Sequence, residues 1–429
     1  MEHRRIAAPV ETEIYAATPI DVLIVGAGIV GLCAAYYLHQ AGRQVTVIDR
    51  TGVCAGASFG NGGLVTPSHA LTLAQPGVML KALRWMFDPE SPLYIQPRCD
   101  WELIKWLWRF RAACGEKQAR TMIPVVLKLG RESQALFEEI IAATELGGVY
   151  HRNGFAYLYN TAEGLKEGYQ KADLYRHFGI ETQALGVGLF SEMSLPLHPS
   201  VVGGLYFPGD AHVVPDRFVN GLARWLIGQG VPVLGGVETQ AFETRKGQIT
   251  AVKTSTGLIH AQEVVMACGA WDNVALKPLG IRLPTQPAKG YSVSLPQPDG
   301  FGALPSLLCE SKLAVTPMDG ILRIAGSLEM AGLDLSINQR RVDAIIRNAG
   351  NYLCGLDSSE AKVWCGLRSC TPDGLPIIDR VPGYANLTVA TGHSMMGVRL
   401  GPISGKRVAE LISGVMDPYD RQWLALGRF

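Results

Sequence analysis

The chain has 429 residues, and its 39 basic and 38 acidic side chains leave a formal net charge of +1. Hydrophobic residues make up 48% and charged residues 18%, enough apolar material for a buried core, which excludes wholesale disorder. Balanced charge without a basic block excludes nucleic acid as the main partner, and no uncharged apolar run is long enough to span a membrane.

From Met1 to Pro19 there is no apolar stretch of the kind that directs secretion. The nine cysteines form no CxxC pair and the nine histidines no HxH or HxxxH, so neither a disulfide framework nor a zinc site is expected. A reducing, cytoplasmic setting follows. Asp21–Val25 is a short β-branched run that predicts a buried parallel strand. Gly26-Ala-Gly-Ile-Val-Gly31 follows, then helical spacing over Leu32–Ala41, a stop at Gly42, and a second strand, Gln44–Ile48, closed by Asp49-Arg50. A pyrophosphate needs amide donors, a positive helix end and no Cβ in the way. Gly26 permits the tight turn, Gly28 the close approach of the diphosphate and Gly31 the packing of helix on strand, with Ala27, Ile29 and Val30 completing the loop. Asp49 is placed to accept ribose hydroxyls and would repel a 2′-phosphate, which disfavours NADP.

Residues 78–145 read as largely helical, with tracts at Trp101–Ala113 and Ile123–Thr144. Trp101, Ile104, Leu107, Trp108 and Arg111 recur at helical spacing, a pattern that suits either a bilayer interface or packing inside a domain. Mixed strand and turn signals run from Gly147 to Phe207, and Pro215–Gly230 reads as a helix with proline near its start and glycine past its end. Short strands follow at Val231–Leu234, Val237–Thr244, Ile249–Thr254 and Glu263–Ala267, the last running into Cys268-Gly-Ala-Trp271. Alternation between Leu283 and Ser327 predicts a half-buried sheet, and Asn338–Leu353 a helix. Finally, Leu387–Ala390 leads into Thr391-Gly-His393, with Gly397 and Gly401 ahead of a helix over Pro402–Ile412. The isoalloxazine of FAD lies far from its adenine, so a flavin fold must supply distant segments. Two glycine-rich strand exits beyond the first therefore favour FAD over NAD, and the last helix offers its N-terminus to the flavin pyrimidine.

The expected architecture is α/β. A discontinuous Rossmann-type, glutathione-reductase-like FAD domain occupies 18–77, 196–280 and 358–429. An α+β substrate domain with a mainly antiparallel sheet occupies 78–195 and 281–357, after an N-terminal extension, 1–17.

More specific stretches join these. They are Ser58-Phe-Gly-Asn-Gly-Gly-Leu-Val-Thr-Pro67, Ala74-Gln-Pro-Gly-Val78, Lys81-Ala-Leu-Arg-Trp-Met-Phe87, Pro287-Ala-Lys-Gly-Tyr-Ser292, Cys365-Gly-Leu-Arg-Ser-Cys-Thr-Pro-Asp-Gly-Leu-Pro376 and Thr391-Gly-His393. With them, from about Asp21 to Gly414, the chain resembles the amino-acid-oxidising flavoproteins related to D-amino acid oxidase, glycine oxidase and sarcosine oxidase. It looks most like the bacterial D-amino acid dehydrogenases. The resemblance implies non-covalent FAD, with a substrate sheet over the flavin and the ring gripped through Ser58, Asn61, Gly62 and Gly63. It adds Arg50, Val237, Cys268, Gly269, Trp271, Gly366, Gly392, His393 and Gly397 to the cofactor contacts. Two departures stand out: the family's Asn-Ala-Gly is Asn61-Gly-Gly63 here, and Arg399 replaces a small polar residue.

Anchoring an amino acid's carboxylate calls for a forked, permanently charged donor. Arg368, in the Gly-Leu-Arg motif, is the first candidate, against an ordinary structural ion pair. Arg399 is the second, against a surface or helix-capping role, and Tyr291 is either a further carboxylate ligand or a core tyrosine. His393 is expected to line the flavin without being an essential acid or base, since no nucleophile set of the Ser/His/Asp type is present. Cys365 and Cys370 sit near the flavin tether of sarcosine-type relatives, but one position off, and are expected to be structural. The expected reaction is hydride transfer from Cα of a D-amino acid to flavin N5, giving an imino acid or 2-oxo acid and passing electrons to a quinone or other acceptor. Cyclic substrates such as D-proline or cis-4-hydroxy-D-proline are included because of Arg399. The alternative is a glycine- or sarcosine-type oxidase that uses oxygen. A quinone acceptor would place the protein peripherally on the cytoplasmic face of the inner membrane. Oligomeric state stays open.

Overall fold

The computed structural model describes residues 19–70, 72–75, 77–78 and 91–429. The N-terminal extension and the Lys81–Phe87 motif lie outside the described residues.

Ile20–Val25 (β1) and Val45–Asp49 (β2) flank Ile29–Gln40 (α1), as the βαβ pattern requires. Five parallel strands form the centre of the first sheet, in the order Val233–Gly235, β2, β1, Gly257–Met266, Leu387–Thr391. Strands 239–245, 248–254 and 377–380 extend it in antiparallel fashion. β1 and β2 are buried along almost their whole length, which explains their unbroken apolar sequences. On one face α1 lies directly on Gly401–Ile412 (hereafter α4) at Gly405, where a Cβ would run into the backbone of Cys33.

Among the described residues nine strands form the second sheet. At one end of it Gln286–Pro296 (β3) lies between Ile321–Met330 (β4) and the last strand of the row, Lys362–Cys370 (β5), antiparallel to both. Strands 203–207 and β5 hydrogen-bond in this sheet, although the sequence segmentation groups them with the nucleotide-binding segments. The expected half-burial is also exceeded, since β3 is buried at most positions. Both of its faces are covered. Gln339–Gly350 (α3) packs Val342, Ile345 and Ala349 against Tyr291, Val293 and Ile324 on one face. The segment after β2 covers the other: Thr316 Oγ1 donates to the Gly62 carbonyl at 2.7 Å, and Arg323 Nη1 to those of Phe59 and Asn61 at 3.0 and 3.1 Å.

Trp101–Ala113 (α2) forms as expected, its first turn capped by Asp100, whose carboxylate accepts from the amides of Glu102 and Leu103. The next helix starts at Glu116, seven residues before the expected Ile123, and carries Pro124 inside it. Among the described residues no helix is long and apolar enough to cross a membrane, and no cluster of His, Cys, Asp or Glu is built to hold a metal.

Candidate active site

The first sheet builds a cradle at the C-terminal ends of β1 and β2. Gly26 has φ +117°, and a Cβ there would strike the Ala267 carbonyl; a Cβ on Gly31 would strike that of Gly26. The loop can therefore carry no side chain at either position. α1 starts at Gly28 with no side-chain cap, leaving its N-terminus open toward the loop, while the Ile29 amide donates to Ser58 Oγ at 3.1 Å. The Asp49 carboxylate is fixed by the amides of Ala27, Thr51 and Gly52 at 2.8–3.0 Å. Beside it the Arg50 guanidinium lies 4.3 Å over the Trp271 ring, and the Val237 amide donates to the Asp49 carbonyl at 3.0 Å. A glycine-only approach, an uncapped helix N-terminus and an acid at the end of β2 fit a dinucleotide diphosphate and its ribose.

Asp272 belongs to this region and was not singled out from the sequence. It is fully buried and accepts from the Cys268 amide at 2.9 Å, its Oδ2 has no hydrogen-bond partner among the described residues, and burial pushes its carboxyl up to about 7. The one signal was its place directly after Cys268-Gly-Ala-Trp271, where an acid reads equally well as a helix-start residue. Burial likewise holds the Cys268 thiol well above its usual range.

The second sheet meets this cradle through residues 58–63. Gly63 has φ +68°, and its amide donates to Asn61 Oδ1 at 2.9 Å. At Gly62 the family's alanine would fit, since an added Cβ would lie 3.5 Å from that of Ala325. The departure there changes no packing. Antiparallel partners share a face, and the register puts Arg368 beside Ala288, Gly366 beside Gly290 and Trp364 beside Ser292. That is the face toward residues 58–63. Trp364 is closely flanked by Gly60 and Gly366, and Arg368 lies across Gly290; a Cβ on any of these glycines would collide with the side chain beside it. Arg368 Nη1 donates to the Ser327 carbonyl at 2.9 Å, yet among the described residues no carboxylate lies within ion-pair distance of Arg368. Burial pushes its pKa down.

A family model described as FAD dependent oxidoreductase matches residues 21–411. The chain belongs to that family. Curated relatives include a D-amino acid dehydrogenase of Methylobacterium nodulans, 33% identical over 92% of this chain and 95% of its own length. Another, from Methylobacterium radiotolerans, is 33% identical over 96% of this chain and the whole of the relative. Among solved structures, glycine oxidase from Geobacillus kaustophilus superposes with a TM-score of 0.76 at 22% identity, covering 95% of this chain and 98% of that one. L-Proline dehydrogenase from P. horikoshii gives 0.73 at 20% identity, covering 96% and 98%. These two likenesses establish the fold.

The family is FAD-dependent, and Gly26, Gly28, Gly31 and Asp49 are the residues that could hold the diphosphate and ribose. Other expected site residues fall elsewhere. Tyr291 pairs with Cys365, on the face opposite Arg368; it is buried and its hydroxyl donates to Glu329 Oε2 at 3.0 Å. The Cys365 thiol donates to the Leu335 carbonyl on that same far side, and Cys370 is buried. Arg399 is buried too. Its Nη1 donates to the carbonyls of Thr66 and His69, both at 2.8 Å, its Nη2 faces Met396 Sδ, and its Nε has no partner among the described residues. These partners tie the loop before α4 to the turn after residues 64–65; none is shared with Arg368. Burial pulls Arg399 down to about 10 and pushes neighbouring Asp210, which accepts from the amide and hydroxyl of Ser68, up to about 7.

His393 Nε2 lies 2.8 Å from Ser404 Oγ in α4, and its backbone bridges to Cys370 at the end of β5. Burial pushes its imidazole down to about 4, so it is neutral at physiological pH. Gly392 has φ +74° and packs on Thr371, whereas Gly397 faces His393 with room to spare.

Proposed function

We propose that the protein is a dehydrogenase that oxidises the Cα–N bond of D-amino acids, cyclic ones among them, and passes the electrons to a quinone or another acceptor. One observation carries the reading. Arg368, on the sheet face turned toward residues 58–63, is a guanidinium with no carboxylate partner among the described residues. A half-buried fork of this kind is an anion site waiting for its anion. The curated relatives named D-amino acid dehydrogenase supply the substrate class, and the proline dehydrogenase neighbour agrees with a cyclic amine.

FAD, when bound, supplies the two-electron acceptor. The chain's own residues bind and orient. Arg368 grips the carboxylate, Gly290 gives it a floor without side chains, and Trp364 forms an apolar wall four residues from Arg368 on the same strand. His393 is neutral and occupied by Ser404, so the substrate's amine must lose its proton to solvent before oxidation. The imine then hydrolyses in water to the 2-oxo acid or stays cyclic.

For a quinone acceptor, α2 is the natural contact with a membrane surface. Trp101 and Trp108 are 66% and 70% exposed, with Ile104 between them at 40%. Lys105, Arg109 and Arg111 are also exposed.

Anaerobic bleaching of the bound flavin by D-alanine, D-phenylalanine, D-proline, cis-4-hydroxy-D-proline and their L-forms tests the proposal. D-forms should bleach it and Arg368→Leu should keep its FAD, while half-saturation rises on the order of a hundredfold from loss of a charged hydrogen-bond pair. An Arg368→Leu variant that saturates as before would remove Arg368 from this role. Stoichiometric peroxide under air would select the oxidase instead.

A further inference from the structure

The register between β3 and β4 is interrupted beside the glycine on which Arg368 rests. Lys289 faces Glu329 and Tyr291 faces Gly326, so Ser327 and Leu328 together oppose the single residue Gly290. This is a β-bulge, a device that re-aims groups next to functional sites. Ser327 holds φ +63°, a left-handed conformation that a serine adopts only when its surroundings impose it. Its carbonyl is the one that accepts from Arg368 Nη1 at 2.9 Å.

What imposes the conformation lies on the far side of the sheet. Arg341, on α3 and 3% exposed, donates from Nη1 to Ser327 Oγ at 3.2 Å and to the Ser91 carbonyl at 3.0 Å. Its own plane is fixed by Glu329 Oε2, 3.6 Å from Nε, and by the Tyr94 ring, 5.0 Å from its guanidinium carbon. Glu329 in turn takes the Tyr291 hydroxyl and lies 3.7 Å from Lys289 Nζ. Ser327 thus joins the two faces, its hydroxyl held by Arg341 and its carbonyl holding Arg368.

We propose that Arg341 is a positioning residue for substrate binding. By pinning the Ser327 hydroxyl it keeps the bulge in its left-handed form and aims the carbonyl at one nitrogen of Arg368. The guanidinium then stays flat over Gly290, and its remaining donors face the substrate carboxylate. Lys289, Tyr291 and Glu329 act one step further back by fixing the plane of Arg341. The proposal rests on the reading of Arg368 as the carboxylate anchor.

The test uses the FAD-loaded full-length protein. The probe is whichever of D-alanine, D-phenylalanine, D-proline and cis-4-hydroxy-D-proline bleaches the wild-type flavin at the lowest concentration. In Arg341→Met the half-saturating concentration should rise about tenfold, the scale of one hydrogen bond to a charged group. The limiting bleaching rate and the FAD content should hold near wild type, and Arg341→Lys, which can still donate to Ser327 Oγ, should recover most of the affinity. Ser327→Gly keeps the backbone conformation and the carbonyl but loses the hydroxyl. It should weaken binding by itself, and adding Arg341→Met should weaken it little further, because the two act through one contact. Unchanged affinity in Arg341→Met overturns the proposal. So does a joint fall of affinity, limiting rate and FAD content that lysine does not rescue, or full additivity with Ser327→Gly. If Arg341→Met does not fold, normal affinity in Ser327→Gly overturns it as well. Failure of the underlying reading looks different: Arg368→Leu would then saturate normally, or no D-amino acid would bleach the wild type.

Discussion

The chemistry at residue scale turns on which side chains change charge near neutral pH, and His393 is one that does not. It is buried, hydrogen-bonded to Ser404 and pushed down to about 4, so from pH 6 upward it stays neutral. His393 should then add no limb near 6.5 to the pH dependence of kcat/KM, which rises as the substrate's ammonium group loses its proton. His393→Ala should keep that shape. An acidic limb near 6.5 that disappears in the variant would make His393 a titrating base after all. Much of the cofactor cradle was legible in the sequence, because Gly26, Gly28, Gly31 and Asp49 act through spacing along one βαβ unit. Arg368 stood out as a candidate through its motif. What the sequence could not show is the side of the sheet on which Tyr291 and Arg368 stand. That parity comes from pairing register, which no local pattern encodes. Ser327 and Arg341 were hidden for the same reason, since a bulge exists only between two strands.

At the scale of elements, α2 carries two apolar stripes. Leu103, Trp106 and Phe110 are buried, whereas Trp101, Ile104 and Trp108 face outward. Helical spacing was visible beforehand, but both stripes satisfy it, so only the packed structure shows which one remains for a partner. Tryptophan beside basic side chains partitions to the bilayer interface, and anionic lipid adds about 1 kcal/mol per basic residue near the surface. The protein should therefore sediment with vesicles of phosphatidylethanolamine and phosphatidylglycerol, less so as salt is raised. Trp101→Gln combined with Trp108→Gln should lower that binding by about tenfold or more, while stability stays within about 0.5 kcal/mol because both positions are exposed. If wild type remains in the supernatant at low salt, α2 is not a membrane contact.

For the molecule as a whole, buried titratable groups set opposing slopes of stability against pH. His69, His212 and His393 are held at about 3, 4 and 4 by burial, below their unfolded value near 6.5. Their contribution is complete above about 6.5 and is lost as pH falls toward 4. Asp210 and Asp272 are raised to about 7. The folded chain keeps protons that the unfolded chain gives up above about 4, so this contribution is complete in acid and is lost as pH rises from about 4 to 7. Between 4 and 6.5 the two sets largely offset each other. From 6.5 to 7 the carboxyl set acts alone, so stability should peak near pH 6.5 and be lower at pH 8. Asp210→Asn isolates one carboxyl, since an amide keeps the Ser68 contacts without a charge to bury. It should raise the unfolding free energy by on the order of 2 kcal/mol more at pH 8 than at pH 5, read from denaturant midpoints at the two pH values. A variant that is less stable than wild type at pH 8 would mean that attraction to Arg399 outweighs the burial of the ionised Asp210 carboxylate, the opposite of a carboxyl whose pKa burial raises.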